Sequence, residues 1–300
     1  MSLRHFQIFV TVCDKMNMTA AAGALFMSQS AVSQAIGELE SYYGIRLFER
    51  LSRKLYLTQA GEKLLGYARH IIRMNMDVEN EMRVISQNGT VRVGASVTIG
   101  AWVLPKLAAS FLEDMPGASI EVIEDNTEKI ERLVLSDKLD LGLVEGEVLS
   151  PDIVNKPFAE DMLVLVCGKN HAFAERSSIE PHELEAEIFI LREVGSGTRK
   201  TFEDVMSENG LTWKAAWTCN NVDTIKAAVA EGLGVSVISK LAVDREVESG
   251  LLRIVDIDGL AFKRRFKLIY HKNKYLTDTM KKFIDFCFGS AGPADLQGEL

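Results

Sequence analysis

Paired cysteines are missing from this chain of 300 residues. Its four cysteines, Cys13, Cys167, Cys219 and Cys287, are scattered, and no two stand in a CxxC arrangement. That spacing argues against a zinc cluster and against a disulfide scaffold. The expectation is four reduced thiols in a cytoplasmic protein. Long apolar runs are also missing: no stretch approaches the roughly eighteen residues a membrane span needs, so no membrane role is expected. Met1-Ser2-Leu3-Arg4-His5-Phe6 has neither a long apolar run nor a small-residue cleavage site, so no secretory signal is expected. Catalytic signatures are equally scarce. The five histidines, His5, His70, His171, His182 and His271, lie far apart, with no HExxH. Gly94-Ala95-Ser96-Val97-Thr98 lacks the second glycine of a nucleophile elbow. Gly232-Leu233-Gly234-Val235-Ser236-Val237 lacks the third glycine of a dinucleotide loop and reads as a tight turn between helix and strand. The expectation is a protein without catalytic activity, metal or cofactor.

Positive charge is in deficit, but unevenly. The whole chain has 34 Lys+Arg against 42 Asp+Glu, a net charge of -8. Residues 1–90 hold 10 Lys+Arg against 8 Asp+Glu, whereas residues 91–300 hold 24 against 34. Arg46, Arg50, Arg53 and Lys54 crowd between Ile45 and Thr58 with only Glu49 opposing them. A local basic patch can bind phosphate, while an acidic remainder discourages loose association with nucleic acid.

What is present begins with short helices. Leu3, Phe6, Phe9, Val10 and Cys13 recur at helical spacing. Asn17 and Thr19 are candidate N-caps for an alanine-rich helix, Ala20 to Phe26. Ser28 then caps a helix over Gln29 to Tyr43, which Gly44 ends. Its stripe Val32, Ile36 and Leu39 faces a core, leaving Gln29, Ser30, Ser33 and Gln34 on the opposite side near the N-terminus. Two short helices joined by a tight break, the second polar at its start, describe a helix-turn-helix. Two β-capable runs, 45–50 and 51–58, with Arg50, Arg53 and Lys54 near their junction, read as a basic hairpin wing. A long proline-free helix is expected from about Gln59 to Ser86. Leu64, Ala68, Ile71, Asn75, Val78, Met82 and Ile85 follow a 4-3 spacing, the seam of a dimeric coiled coil, with Asn75 as a register-fixing polar residue.

From Thr90 the pattern alternates β and α: strands at 91–95, 119–124, 140–144, 162–167, 188–191, 216–219, 235–238 and 266–270, with helices at 99–113, 127–135, 199–208, 222–230 and 279–288. This implies parallel sheets wrapped by helices. Two strand-to-helix loops are candidate ligand sites, Ser96-Val97-Thr98 and Gly195-Ser196-Gly197-Thr198-Arg199. Both place hydroxyls and free peptide N–H groups at a helix N-terminus, where the dipole favours an anion, and Arg199 can add a charge-assisted fork.

The run Asn17-Met18-Thr19-Ala20-Ala21-Ala22, then Ser28-Gln29-Ser30-Ala31-Val32-Ser33-Gln34, Leu39-Glu40, Gly44, Leu47-Phe48-Glu49-Arg50 and Leu57-Thr58-Gln59-Ala60-Gly61 resembles the winged helix-turn-helix of LysR-type transcriptional regulators. The resemblance continues through the chain. It implies a DNA-binding domain at 1–58, a linker and dimerisation helix at 59–89, and an effector-binding α/β domain at 90–300. That domain is of the type 2 periplasmic-binding-protein kind, with lobe I about 90–161 and 266–290 and lobe II about 162–265. It also implies a homodimer or homotetramer, double-stranded DNA as partner, and an effector held between the lobes by Ser96, Thr98, Ser196, Thr198 and Arg199. A small anion is expected there: sulfate, sulfite, phosphate or a small carboxylate. The segment 192–199 looks like the branch that governs inorganic sulfur or carbon assimilation. The family's base-reading positions fall on Gln29, Ser30, Ser33 and Gln34. Proline often stands where this chain has Ser30, and arginine where it has Gln34; glutamine favours adenine where arginine favours guanine. The alternative is a two-lobed small-molecule binding protein whose N-terminal helices serve oligomerisation only.

Overall fold

In a computed structural model the residues described are 1–51, 54–83 and 89–289. The chain forms two compact units, one holding Met1–Gln87, Leu135–Lys138 and Lys272–Tyr275, the other the remainder.

The first unit starts with α1 (Leu3–Lys15), α2 (Met18–Ala24) and α3 (Gln29–Tyr43). Local chemistry sets each boundary. The Asn17 carboxamide accepts from the peptide N–H groups of Thr19 and Ala20, so α2 begins two residues earlier than the alanine run suggests. Ser28 accepts from the Ala31 N–H, and Gly44 closes α3 at φ 67, in the left-handed region. Phe6, Phe9, Val12, Ala21, Val32, Ile36 and Leu39 form the common core; alanines on α2 let the three helices approach closely. The wing is an antiparallel pair, β1 (Phe48–Leu51) and β2 (Lys54–Leu57), with Phe48 opposite Leu57 and Leu51 opposite Lys54. Glu40 joins helix to wing, accepting from the Leu47 N–H at 2.8 Å and the Phe48 N–H at 3.2 Å. Thr58 donates to the Arg46 carbonyl and accepts from the Gly61 N–H. Gly61 is required there, because a Cβ would collide with the Leu47 carbonyl oxygen. These contacts give the Leu-Glu and Thr-Gln-Ala-Gly signatures a physical reason. The long helix α4 runs Gln59–Arg83.

The second unit alternates β and α as expected: β3 (Thr90–Ser96), α5 (Val97–Trp102), α6 (Leu104–Asp114), β4 (Ser119–Asp125), α7 (Thr127–Leu135), β5 (Leu141–Glu145), β6 (Ile153–Gly168) and the short β7 (Ser178–Ile179). There follow β8 (Ile188–Arg192), α8 (Gly197–Glu208), β9 (Lys214–Cys219), α9 (Val222–Ala230), β10 (Ser236–Ser239), α10 (Asp244–Glu248), β11 (Leu252–Ile257), β12 (Phe262–His271) and α11 (Asp278–Gly289). One expected helix, 99–113, is two. Pro105 lies at the start of α6; with no N–H it cannot continue the α5 ladder. β11 was not anticipated; it pairs with β6 along Leu252–Val255.

The main sheet runs β4-β3-β5-β12-β6-β11-β7, with β10 also on β6, while β8 and β9 pair in parallel and join through a bridge from Phe189 to Val235. Strands β6 and β12 are long and antiparallel, and they pass from one core to another. On β12, Phe266 and Leu268 belong to the core with Val93, Phe111 and Phe283. Phe262, on the same face of the same strand, belongs to the core with Leu163, Phe189 and Phe202. The sheet is therefore shared between two lobes, and β6 and β12 are the crossing strands. The crossing falls between Phe262 and Phe266, where Arg264 pairs in register with Asp161 of β6. Among the described residues no helix is long and apolar enough to cross a membrane.

Candidate functional site

On the first unit, α3 turns Val32, Ala35, Ile36 and Leu39 inward. Gln29, Ser30 and Gln34 are exposed and Ser33 is half-buried, so the four expected base readers share the outward face of one helix. Ser30 is 3.0 Å from the Ser28 hydroxyl, and Gln34 donates to Glu38 at 2.9 Å. Lys54 is exposed on β2. Arg53 lies outside the described residues, as does the side chain of Arg50.

The expected seam on α4 divides. Ala68 is fully buried in the helix-turn-helix core and Leu64 packs against it, so both serve the fold of their own unit. Asn75 is half-buried and donates to Glu79 one turn along at 2.8 Å, which occupies the amide expected to fix register. Ile71 and Val78 are exposed, and so are Tyr67 and Met74. Tyr67, Ile71, Met74 and Val78 repeat the 4-3 spacing, so the outward apolar stripe uses the positions just before Ala68 and Asn75. Periodicity alone could not tell a stripe buried in its own unit from one left open. Ile85 lies outside the described residues, as does the side chain of Met82.

On the second unit, the two expected loops converge where the strands cross. Arg264 donates to Thr98 at 3.2 Å and to Thr198 at 2.9 Å. Its Nε bonds Asp161 at 2.6 Å, and Glu145 lies 3.6 Å away. Ser239 donates to the other oxygen of Asp161. All of these side chains are buried. Thr98 and Thr198 thus meet through a guanidinium. Arg264 was legible in principle: Phe262-Lys263-Arg264-Arg265-Phe266 alternates, and strand period puts Arg264 on the inward face with the two phenylalanines.

The hydroxyls are not equally available. Ser96 donates to the Glu145 carboxylate, and Thr98 also bonds it. Burial pushes the Glu145 pKa above the usual carboxylate value; Arg264 and Arg192 pull it back, while Asp161 adds to the rise. Arg199 is committed as well, to Glu203 at 2.7 Å and the Arg192 carbonyl at 3.2 Å. Of the residues expected to hold an effector, Ser96 thus faces a carboxylate and Arg199 braces α8. Two donors stay open: Ser196 Oγ at the N-terminus of α8 and Arg192 Nη1 at the end of β8 are buried without a hydrogen-bond partner among the described residues, while the rest of the Arg192 guanidinium is held by Glu193 through Nε at 2.8 Å and Nη2 at 3.0 Å. Gly195 sits at φ 90, and a Cβ on Gly197 would strike the Glu145 carbonyl oxygen. Both glycines are needed for α8 to begin so close to β5.

Burial raises the pKa of Cys13 and Cys287 to about 12 and of Cys167 to about 11, and it raises Cys219 too, so the reactive thiolate is disfavoured at each.

Comparison with known proteins agrees with this division. The family description "Bacterial regulatory helix-turn-helix protein, lysR family" matches residues 3–62, and "LysR substrate binding domain" matches residues 86–291. The chain is 32% identical over 286 residues to YeiE, an uncharacterized HTH-type transcriptional regulator of Escherichia coli (strain K12), covering 95% of this chain and 97% of the other. It is 30% identical over 289 residues to the HTH-type transcriptional activator CmpR of Synechocystis, covering 96% of this chain and 95% of the other. The solved regulatory domain of Synechocystis PCC6803 CcmR, in complex with 2-PG, superposes with a TM-score of 0.64 at 27% identity, covering 69% of this chain and 99% of that domain.

Proposed function

Because the chain belongs to the LysR family of transcriptional regulators, DNA-binding proteins controlled through an effector-binding domain, we propose that a small oxyanion in the cleft where β6 and β12 cross controls this one. The observation that carries the proposal is the buried Ser196 Oγ at the N-terminus of α8, without a hydrogen-bond partner among the described residues, together with a second such donor, Arg192 Nη1, at the end of β8. An unpaired buried polar group costs about 1–3 kcal/mol, and an anion there would satisfy both donors and meet the helix dipole. Thr198 offers its hydroxyl proton beside them, since it accepts from Arg264. Sulfate, sulfite, phosphate and a small carboxylate fit this donor set; a large apolar ligand would leave it unpaired. The CcmR domain's complex with 2-PG is in keeping with a small effector in this fold.

DNA is bound as a homodimer or homotetramer, with α3 in the major groove and the wing on the backbone. Gln29, Ser30, Ser33 and Gln34 face the bases, and Lys54, with Arg50 and Arg53, the phosphates. The effector binds one arrangement of the lobes better than another, and so shifts the population of oligomer shapes presented to DNA.

Ser196→Ala tests the site. Calorimetric titration with sulfate, sulfite, phosphate and acetate should show affinity for the bound anion lowered about tenfold, one charge-assisted bond. Thermal stability should hold or rise, because the lost hydroxyl has no partner. Equal anion affinity in wild type and variant would place the anion elsewhere.

Glu145 adds a pH dependence. Its raised pKa means the folded protein holds this proton more tightly than the unfolded chain does. The resulting stability is full below the ordinary carboxylate pKa and is lost as pH rises through the raised value. Anion affinity should follow the same direction, rising as pH falls, because the protonated acid no longer competes for Arg264. Glu145→Gln should bind the anion several-fold more tightly than wild type at pH values where Glu145 is ionised, roughly 1 kcal/mol for one screened charge, with a flatter pH profile. A profile as steep as wild type would remove Glu145 from the explanation.

A further inference from the structure

The outward face of α3 carries a hydrogen-bond relay that begins at the N-terminus of the chain. The Ser2 peptide N–H donates to His5 Nδ1 at 3.2 Å, and the Ser2 hydroxyl lies 2.8 Å from the same nitrogen. A ring nitrogen that accepts carries no proton, so the His5 proton sits on Nε2. From there it is donated to Glu38 Oε2 at 2.8 Å. The second carboxylate oxygen, Oε1, accepts from Gln34 Nε2 at 2.9 Å. The bond from His5, then that from Gln34, holds the Glu38 carboxyl below its usual pKa, so it stays ionised at neutral pH. An ionised carboxylate can only accept. The Gln34 amide must therefore turn its nitrogen toward Glu38 and its carbonyl oxygen away. Gln34 and Glu38 are one helical turn apart, the spacing at which side chains on a helix meet.

We propose that His5 and Glu38 are positioning residues for base recognition: they hold the Gln34 amide with its carbonyl oxygen presented to the DNA, and so select adenine over guanine at the base Gln34 meets. The proposal rests on the reading of α3 as the helix in the major groove. In that groove adenine offers the N6 amine as donor and N7 as acceptor, whereas guanine offers two acceptors, O6 and N7. A carbonyl oxygen held outward accepts from N6, and the remaining amide N–H can reach N7. Against guanine the same oxygen faces O6, acceptor against acceptor. An unrestrained glutamine escapes that clash by rotating its amide to lead with nitrogen. Glu38 opposes the rotation, since it would set the Gln34 oxygen against a carboxylate. His5 keeps the carboxylate in place and fills its second oxygen.

The test measures binding of the full-length protein to its operator, each position substituted in turn, for wild type, Glu38→Ala, His5→Ala, Gln34→Ala and Gln29→Ala. Wild type should prefer adenine over guanine by about tenfold or more at one position, the discrimination of a good bidentate pair. Glu38→Ala should cut that preference to about threefold or less at that position only, with the other positions and the salt dependence unchanged, a pattern that general loosening of α3 would not give. His5→Ala should fall between the two. Gln34→Ala should abolish preference at the same position. If Gln34→Ala changes one position and Glu38→Ala leaves it as in wild type, the positioning role is overturned while the reading of α3 stands. If Gln34→Ala changes nothing, the proposal also fails, and Gln29→Ala then decides whether α3 reads bases at all.

Discussion

Arg264→Met should destabilise the second unit by about 3–5 kcal/mol, the cost of leaving a buried charge without its partner, and should abolish the response to anions. Arg264 is among the most heavily committed side chains of the crossing. It bonds Asp161, Thr98 and Thr198 and lies within 3.6 Å of Glu145. Methionine fills much of the same volume but supplies no donor, so Asp161 would be left buried with only the Ser239 hydroxyl. Denaturant unfolding followed by a probe in this unit measures the loss. The double variant Arg264→Met, Asp161→Leu separates charge from shape. Replacing both members of a buried pair by apolar groups is often neutral, so the double variant should regain most of the stability while remaining unresponsive to sulfate or phosphate. Should Arg264→Met alone prove as stable as wild type, the ion pair would not be what joins β6 to β12 at the crossing.

That cluster marks where sequence reasoning stops. Caps and turns were legible because their chemistry is local: Asn17, Ser28 and Gly44 each act within a few residues, and α3 begins and ends where they require. The two candidate loops were found for the same reason, as strand ends feeding helix starts. Arg264 and Asp161 are 103 positions apart and Ser96 and Glu145 are 49 apart. Their pairing depends on strand register, which alternation alone does not give. The two loops do meet at Arg264, but their hydroxyls were assigned without the charges that claim them. Arg199, which sits closest to the motif in sequence, bonds Glu203, and the guanidinium that meets Thr98 and Thr198 belongs to Arg264, on another strand.

The α4 seam shows the same limit from the other side and leads to the second large effect. Replacing Ile71 and Val78 by aspartate should convert the protein to monomers. The two side chains are 40% and 48% exposed, and Tyr67 and Met74, at 42% and 41%, complete an apolar stripe along one side of the helix. Apolar residues at this spacing on an open face mark an interaction surface, and a heptad stripe fits a second copy of the same helix. Aspartates there would bring unpaired carboxylates into the seam, at several kcal/mol each in a dry interface. They should leave the monomer folded, because neither side chain belongs to the helix-turn-helix core. Leu64→Asp with Ala68→Asp is the contrasting pair: these residues pack within that core, so their replacement should unfold the unit rather than dissociate a dimer. Sedimentation velocity with circular dichroism distinguishes the two results. DNA binding should follow assembly. A dimer places its second reading helix near the second half-site at millimolar effective concentration, so its loss should weaken binding to a two-half-site operator by about 10²–10⁴-fold. Binding to a single half-site should hardly change. An Ile71→Asp, Val78→Asp protein that still sediments as a dimer would move the interface off α4, and the exposed stripe would then need another partner.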